Sequence, residues 1–105
     1  MRMMLKVTVP TDVGNRAMKD GTLQRVLKET MTKLNPEAAY FLANEGRRCA
    51  MLFFEMHHAS DIPAIAEPLF SELGAEIEIV PVMNAEDLEK GLSALTVKSK
   101  GRRNR

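Results

Sequence analysis

The sequence predicts an α+β fold with one antiparallel four-stranded sheet. Four short apolar segments, bounded by turn residues, have the pattern of β-strands. Two longer segments carry apolar residues at the spacing of one helical face. These segments follow one another as β-α-β-β-α-β, an order in which the strands form a single antiparallel sheet.

The first strand and the first helix are indicated by periodicity. The strand is predicted at Met3–Val9, because apolar residues recur there at every second position. The helix is predicted over Asn15–Leu34, with Asn15 as its N-cap. Gly21 lies inside the helical pattern and leaves two alternatives open. The helix either begins near Asp20 or is continuous and distorted at Gly21.

A hairpin is predicted next, with strands at Glu37–Ala43 and Arg47–Met56 around Asn44-Glu45-Gly46. Asn and Gly in a short connection are typical of turns that need a positive φ. Both faces of these strands are apolar or small, whereas a hairpin with one face in water would alternate apolar and polar residues. We therefore expect something to cover each face.

A second helix is predicted over Ser60–Leu73, capped by its first residue and kinked at Pro68. The kink leaves the carbonyl of Ala64 without its usual helical donor, so we expect a polar feature there. The fourth strand is predicted at Glu76–Met83, and a short third helix is expected after Asn84.

This order of elements is the split βαβ, or ferredoxin-like, arrangement, with two helices on one face of the sheet. Those helices cover one apolar face of the hairpin, and the third helix is too short to cover the other. The sheet of a second copy would cover it, and two-fold pairing is the commonest oligomer symmetry. We therefore expect a homodimer that pairs through its sheet faces.

Four segments of the chain carry a resemblance to known proteins. They are Asn15-Arg-Ala-Met-Lys-Asp-Gly-Thr, Pro36-Glu-Ala-Ala-Tyr-Phe, Ile62-Pro-Ala-Ile-Ala-Glu-Pro-Leu-Phe and Pro81-Val-Met. Over residues 4–95 the chain resembles a family of uncharacterised bacterial proteins of about this length. More broadly, the element order and the two-sided strands resemble the dimeric α+β barrels, which include muconolactone isomerases, cofactor-free monooxygenases and stress-responsive barrel proteins. The resemblance implies this fold but no particular activity, because no catalytic motif of the named enzymes is recognisable.

Length and composition indicate a small globular protein. The chain has 105 residues, about the length of one domain. It has no apolar run near the roughly 20 residues that span a bilayer, and no apolar signal-peptide core. Its single cysteine excludes an intrachain disulfide framework. We expect one domain over residues 1–97, a cytoplasmic location and no membrane partner.

Charge is distributed unevenly along the chain. The net charge is +1, yet residues 98–105 hold five basic residues and no acidic one, so residues 1–97 carry a net charge of −4. We expect residues 98–105 to form a basic, disordered tail. An acidic body disfavours nucleic-acid binding. The first strand also lacks the aromatic residue on which RNA-recognition domains of this element order stack a base.

Metal binding and thiol chemistry are not expected. His57 and His58 are adjacent at a strand end, so their side chains point to opposite faces and do not easily bind one metal ion. Cys49 lies within an apolar strand, which indicates a buried core thiol rather than a reactive one. No cofactor is predicted.

Four polar residues form the candidate ligand site: Asn15, Lys19, Tyr40 and Glu67. Asn15 and Lys19 are one helical turn apart, so they can share a face. Tyr40 lies on an apolar strand and needs a hydrogen-bond partner if it is buried. Glu67 precedes Pro68 on the apolar side of the kinked helix, where a carboxylate could act as a base. We expect Tyr40 and Glu67, the candidate catalytic residues, to approach a common cavity. The other two would lie at its rim, with Lys19 holding an anionic substrate.

Three functions stay open on this evidence. The first is a homodimeric module, structural or binding a small apolar ligand of unknown identity. The alternative is a cofactor-independent enzyme, an isomerase or a monooxygenase-like protein, with its pocket between sheet and helices. The third is weak RNA binding. No set of nucleophile, base and orienting residue is recognisable, which favours the module, whereas a cavity with converging polar groups would favour the enzyme.

Overall fold

The structure is a computed structural model that describes the backbone of residues 1–103 and the side chains of residues 1–95. Its sheet has the strand order β2-β3-β1-β4, and every neighbouring pair is antiparallel. The strands are β1 (Arg2–Val9), β2 (Ala38–Asn44), β3 (Arg47–Glu55) and β4 (Glu76–Pro81). The helices are α1 (Thr11–Asp20), α2 (Thr22–Leu34), α3 (Ile62–Leu73), which follows a 3-10 turn at Ala59–Asp61, and α4 (Ala85–Arg103). The predicted α+β fold with a four-stranded antiparallel sheet is confirmed.

The first predicted helix is in fact two helices separated at Gly21. Gly21 has a φ of 83° in the left-handed region, which glycine enters without a steric penalty. α1 begins at Thr11, so the prediction of Asn15 as an N-cap is wrong and this residue lies inside α1. The helix begins earlier because Gly14 and Ala17, one turn apart, are both buried.

The core lies between the sheet and helices α1, α2 and α3. Leu5 of β1 and Leu52 of β3 are directly opposite in the ladder and at most 1% exposed. Leu69 and Leu73 of α3 are fully buried in the same cluster. Burying a leucine side chain contributes about 2 kcal/mol. All three helices, rather than the two expected, contribute to this cluster, so they cover one face of the sheet, the helix-covered face.

The opposite face of the sheet, here called the outer face, is partly apolar. Strand alternation places Tyr40 and Leu42 of β2 on it, and their side chains are 63% and 40% exposed. Met51 and Phe53 of β3 lie on the same face and are half-buried. None of these four residues belongs to the core cluster between the sheet and α1–α3.

The last helix, α4, has 19 residues and is therefore longer than the short helix that was predicted. Its first turn is tethered to the sheet because Nη1 of Arg2 donates a hydrogen bond of 3.0 Å to Oδ2 of Asp87. The molecule measures 65 Å along its longest axis, with a radius of gyration of 18.2 Å, whereas about 13 Å is usual for 100 compactly folded residues. α4 thus extends beyond the sheet. α4 continues past the predicted domain boundary at residue 97, and the predicted basic, disordered tail at 98–105 concerns side chains outside the described residues. The helices among the described residues include none that is both long and apolar enough to span a membrane.

Candidate functional site

A groove opens between the helix-covered face of β2 and β3 and the helices α1 and α2. Its volume is about 510 Å³, within the roughly 300–1,000 Å³ of small-molecule sites. Met18 of α1 and Leu23 and Leu27 of α2 line the helical side, and Phe41 and Ala43 of β2 line the strand side. The groove is therefore mostly apolar.

The groove exists because the helices do not reach over the edge strand. Phe41 lies opposite Ala50 in the β2–β3 ladder, so both side chains belong to the helix-covered face. Ala50 is 4% exposed, whereas Phe41 is 59% exposed. α1 and α2 thus cover β3 and leave the helix side of β2 open. A large aromatic ring exposed beside a groove is typical of an interaction surface.

One arginine faces the apolar walls from the end of β3. Arg48 lies opposite Val9 of β1 and Ala43 of β2, which places it on the helix-covered face. Its Nη2 donates a hydrogen bond of 3.1 Å to Oδ1 of Asn15 in α1. The described residues that line the groove include no aspartate or glutamate, and Arg47, which also lines it, has its side chain on the outer face, paired with Glu76. The polar end of the groove therefore has a positive charge.

A glycine in α1 makes room for this guanidinium. Gly14 is buried, and a Cβ atom built on it would lie 2.7 Å from Nη1 of Arg48. Any side chain at position 14 would therefore displace the guanidinium. Glycine inside a helix costs about 1 kcal/mol relative to alanine. The close approach of Arg48 gives Gly14 a structural reason for its place in α1.

Arg48 differs from the other sheet arginines in its partners. Within the described part of the chain its polar contact is the neutral amide of Asn15, and no carboxylate lies within ion-pair distance of it. The others pair with acids, Arg2 with Glu37 at 2.9 Å and Arg47 with Glu76 at 3.3 Å. The hydrogen bond from Arg2 to Glu37 raises the pKa of Arg2 above its usual value. Arg48 thus keeps guanidinium donors for another acceptor.

The structure does not bring the four predicted site residues together. Asn15 lines the groove, whereas Lys19 is exposed on α1 and is not among the lining residues. Tyr40 is on the outer face, where its ring meets Phe53 edge-to-face with centroids 6.4 Å apart. Glu67 is exposed on α3, which covers the opposite face. The expected convergence of Tyr40 and Glu67 on one cavity is therefore wrong, because the sheet separates them.

The two histidines lie outside the groove, and Cys49 lines it only with its strand, because its side chain is on the outer face. The backbone N–H of His58 donates to Oδ2 of Asp61 at 3.2 Å and caps the turn before α3, while His57 is exposed. Cys49 is buried, and its Sγ accepts a hydrogen bond of 3.7 Å from Oγ1 of Thr8. Among the described side chains, no group of three or more His, Cys, Asp or Glu is placed to hold a metal ion.

Sequence reasoning missed Arg48 as a site residue, although the sequence contains a signal for it. Position 48 has the same parity as Ala50, Leu52 and Phe54, which are all buried on the helix-covered face. A charged residue within a series of inward-facing apolar residues requires a partner or a ligand. Arg47 has the other parity and pairs with Glu76, so the two adjacent arginines have different environments.

No protein-family model matches the chain, and no curated protein is significantly similar to it.

Proposed function

We propose that this chain is a homodimeric small-molecule-binding module whose ligand occupies the groove between α1, α2 and the β2–β3 hairpin. The observation that carries the proposal is the groove itself, about 510 Å³ of mostly apolar space with one arginine at its end. A concave apolar site with few polar groups is the usual form of a small-molecule site. The buried, unpaired cysteine Cys49 agrees with the reducing cytoplasm that we propose as its location.

The strand order supports a ferredoxin-like classification. Read from β4, the sheet has the order β4-β1-β3-β2, with α1, α2 and α3 packed in one cluster on one face. This is the arrangement expected of the split βαβ motif. We further propose that two such sheets pair as in the dimeric α+β barrels, the broader group and, within it, the uncharacterised bacterial family that the sequence resembles.

The outer face supports pairing with a second copy. Tyr40 and Phe53 form an aromatic pair on it, and both have surface left to bury. Charged residues border this apolar strip: Arg2 with Glu37 and Arg47 with Glu76 lie at its ends, and Lys6 of β1 lies beside Met51, opposite Glu78 of β4. An apolar centre with a polar rim is the usual anatomy of an interface, and a standard one buries about 1,600 Å² in total. A two-fold axis would place the same apolar strip of each copy against the other.

The lining of the groove favours binding over catalysis. The described residues that line it include no histidine, aspartate or glutamate, the side chains that most often act as general bases. Cys49 is among them through its strand, but its side chain lies on the outer face, where Sγ accepts a hydrogen bond from Oγ1 of Thr8. We therefore propose a binding module rather than an isomerase or a monooxygenase.

A methyl NMR titration with 2-naphthamide, a neutral apolar probe, tests the groove. We expect chemical-shift changes at Met18, Leu23 and Leu27, and none at Leu69 and Leu73 beneath α3. Ala43→Trp provides the matched variant, because Ala43 is exposed and a tryptophan there would fill the groove without disturbing the core. Binding should be lost in Ala43→Trp while its melting temperature stays unchanged. An absence of shifts at the groove methyls in the unmodified protein would overturn the proposal.

A further inference from the structure

The partial burial of Arg48 and its single hydrogen-bond acceptor among the described residues indicate the charge of the ligand that the groove binds. Arg48 is half-buried in a series whose other members, Ala50, Leu52 and Phe54, are buried apolar residues. Removing a charge from water is unfavourable unless an opposite charge or hydrogen bonds compensate. Within the described residues Arg48 has one neutral acceptor, Oδ1 of Asn15, and no acid. An anionic ligand would supply the missing partner.

We propose that the groove takes an apolar molecule that ends in a carboxylate, and that Arg48 binds this carboxylate. This proposal rests on the proposed function, because it presupposes that the groove binds a ligand. The planar fork of a guanidinium matches a carboxylate in a bidentate geometry, which a lysine ammonium cannot do.

The guanidinium is held in place before any ligand arrives. Asn15 accepts a hydrogen bond from Nη2 at 3.1 Å, and the missing side chain of Gly14 lets Nη1 lie against α1. An arginine held in this way loses less conformational entropy on binding than one that moves freely in solvent. Asn15 and Gly14 therefore act as positioning residues, and Arg48 is the binding residue.

The residues around Arg48 disfavour a positively charged ligand. The residues that line its end of the groove are neutral on each neighbouring element: Thr11 and Asn15 on α1, Val9 on β1 and Ala43 on β2. The side chain of Arg47 lies on the outer face, where it pairs with Glu76, so Arg48 is the charged group that the described part of the chain places on the helix-covered face at this end. A cationic ligand would meet repulsion there without a compensating acid, whereas a carboxylate meets attraction.

The side chains at the other end of the groove indicate which chemistry the rest of the ligand has. Met18, Leu23 and Leu27 are unbranched or γ-branched side chains that present carbon and sulfur atoms, and Phe41 presents an exposed ring. The side chains of these four residues have no nitrogen or oxygen atom to bond to a sugar or a peptide. An aliphatic or aromatic body is the chemistry that they bury favourably.

A matched pair of probes, 2-naphthoate and 2-naphthamide, tests the proposal by titration calorimetry on the full chain. The two share one ring system and differ in charge at one group. We expect 2-naphthoate to bind about 10-fold more tightly than 2-naphthamide. This ratio corresponds to about 1.4 kcal/mol, which is close to the difference between a charged and a neutral hydrogen bond. In Arg48→Met this preference should disappear while the amide still binds. Arg16→Met is the control, because it removes the same charge from an exposed position on α1 outside the groove. It should keep the preference.

The outcomes separate the two proposals. Equal binding of both probes to the unmodified protein, or a preference that survives in Arg48→Met, overturns the carboxylate assignment and leaves the groove as a binding site. Loss of the preference in Arg16→Met as well overturns it too, because general charge would then explain the result. If neither probe binds, the proposed function itself fails, and the carboxylate assignment fails with it.

Discussion

The ammonium group of Lys33, in the last turn of α2, donates a hydrogen bond of 2.8 Å to the carbonyl oxygen of Ala64 in α3. Pro68 lies four residues after Ala64 and has no N–H, so this carbonyl lacks its helical donor. Lys33 replaces that donor and links α2 to α3. The freed carbonyl was predictable from the position of Pro68. The donor was not, because it depends on how α2 packs beside α3.

Replacing Lys33 by methionine should lower the free energy of unfolding by about 1 kcal/mol, the usual net value of one hydrogen bond. The loss should fall to near zero in a Pro68→Ala background, because the restored amide of residue 68 can bond to Ala64 itself. Urea unfolding of the two single variants and the double variant measures this coupling. The same loss in both backgrounds would show that Lys33 acts by another route.

Replacing Gly14 by alanine should separate stability from ligand binding. Alanine is the better helix former by about 1 kcal/mol, and the atom that its Cβ meets is the flexible end of Arg48. We expect the melting temperature to be unchanged or raised, while the preference for 2-naphthoate over 2-naphthamide falls. Thermal melts and calorimetry check the two effects. A variant that keeps the full preference would show that the guanidinium does not need its place against α1.

The sequence predicted the sheet better than it predicted the site. Turn residues and apolar runs located the β2–β3 hairpin to within one residue at all four of its strand ends, because these signals are local. Alternation also separated Tyr40 from Phe41 correctly. It did not show which of the two lies on the helix-covered face of the sheet, since both faces of β2 are apolar. The assignment of Tyr40 to a cavity shared with Glu67 failed for this reason.

The prediction at Gly21 was limited for a similar reason. A glycine within a helical pattern is compatible with a late start, a distortion or a full break, and only the packing of α1 decides among them. The buried residues Gly14 and Ala17 pack α1 against the sheet. Gly21, in the left-handed conformation, then ends α1, and α2 begins at the next residue as a separate helix. The contact between Arg48 and Asn15 depends on the same packing, because Asn15 accepts its hydrogen bond from within α1, which begins at Thr11.

Substitution by lysine at two neighbouring positions on β3 should affect folding at one and dimerisation at the other. Leu52 is 1% exposed in the core, so Leu52→Lys buries a charge and should unfold the protein at a cost of several kcal/mol. Phe53 is on the outer face beside Tyr40, so Phe53→Lys should split the dimer and keep the fold. Sedimentation equilibrium with circular dichroism distinguishes these effects, and Thr32→Lys on the exposed side of α2 is the control. A native chain that sediments as a monomer at micromolar concentration would contradict the dimer.

Acid stability should depend on Asp20. Hydrogen bonding by the side chain of Thr22, and by its backbone N–H, which donates to Oδ1 at 2.9 Å, lowers the pKa of Asp20 below its ordinary value of 3.8. A group with a depressed folded pKa stabilises the fold above its unfolded pKa, and this contribution is lost as the pH falls through the folded value. Asp20→Asn should therefore flatten the decline in stability below about pH 4. Identical pH profiles for both proteins would show that this carboxylate does not contribute.

The claim that the groove is a ligand site is tested most directly by intermolecular NOEs from the ring protons of bound 2-naphthoate. We expect NOEs to the methyl groups of Met18, Leu23 and Leu27, and none to Leu69 or Leu73. This pattern would place the ring between α1, α2 and β2. NOEs confined to Met51 on the outer face, or no NOEs to any groove methyl at saturating probe, would contradict the assignment.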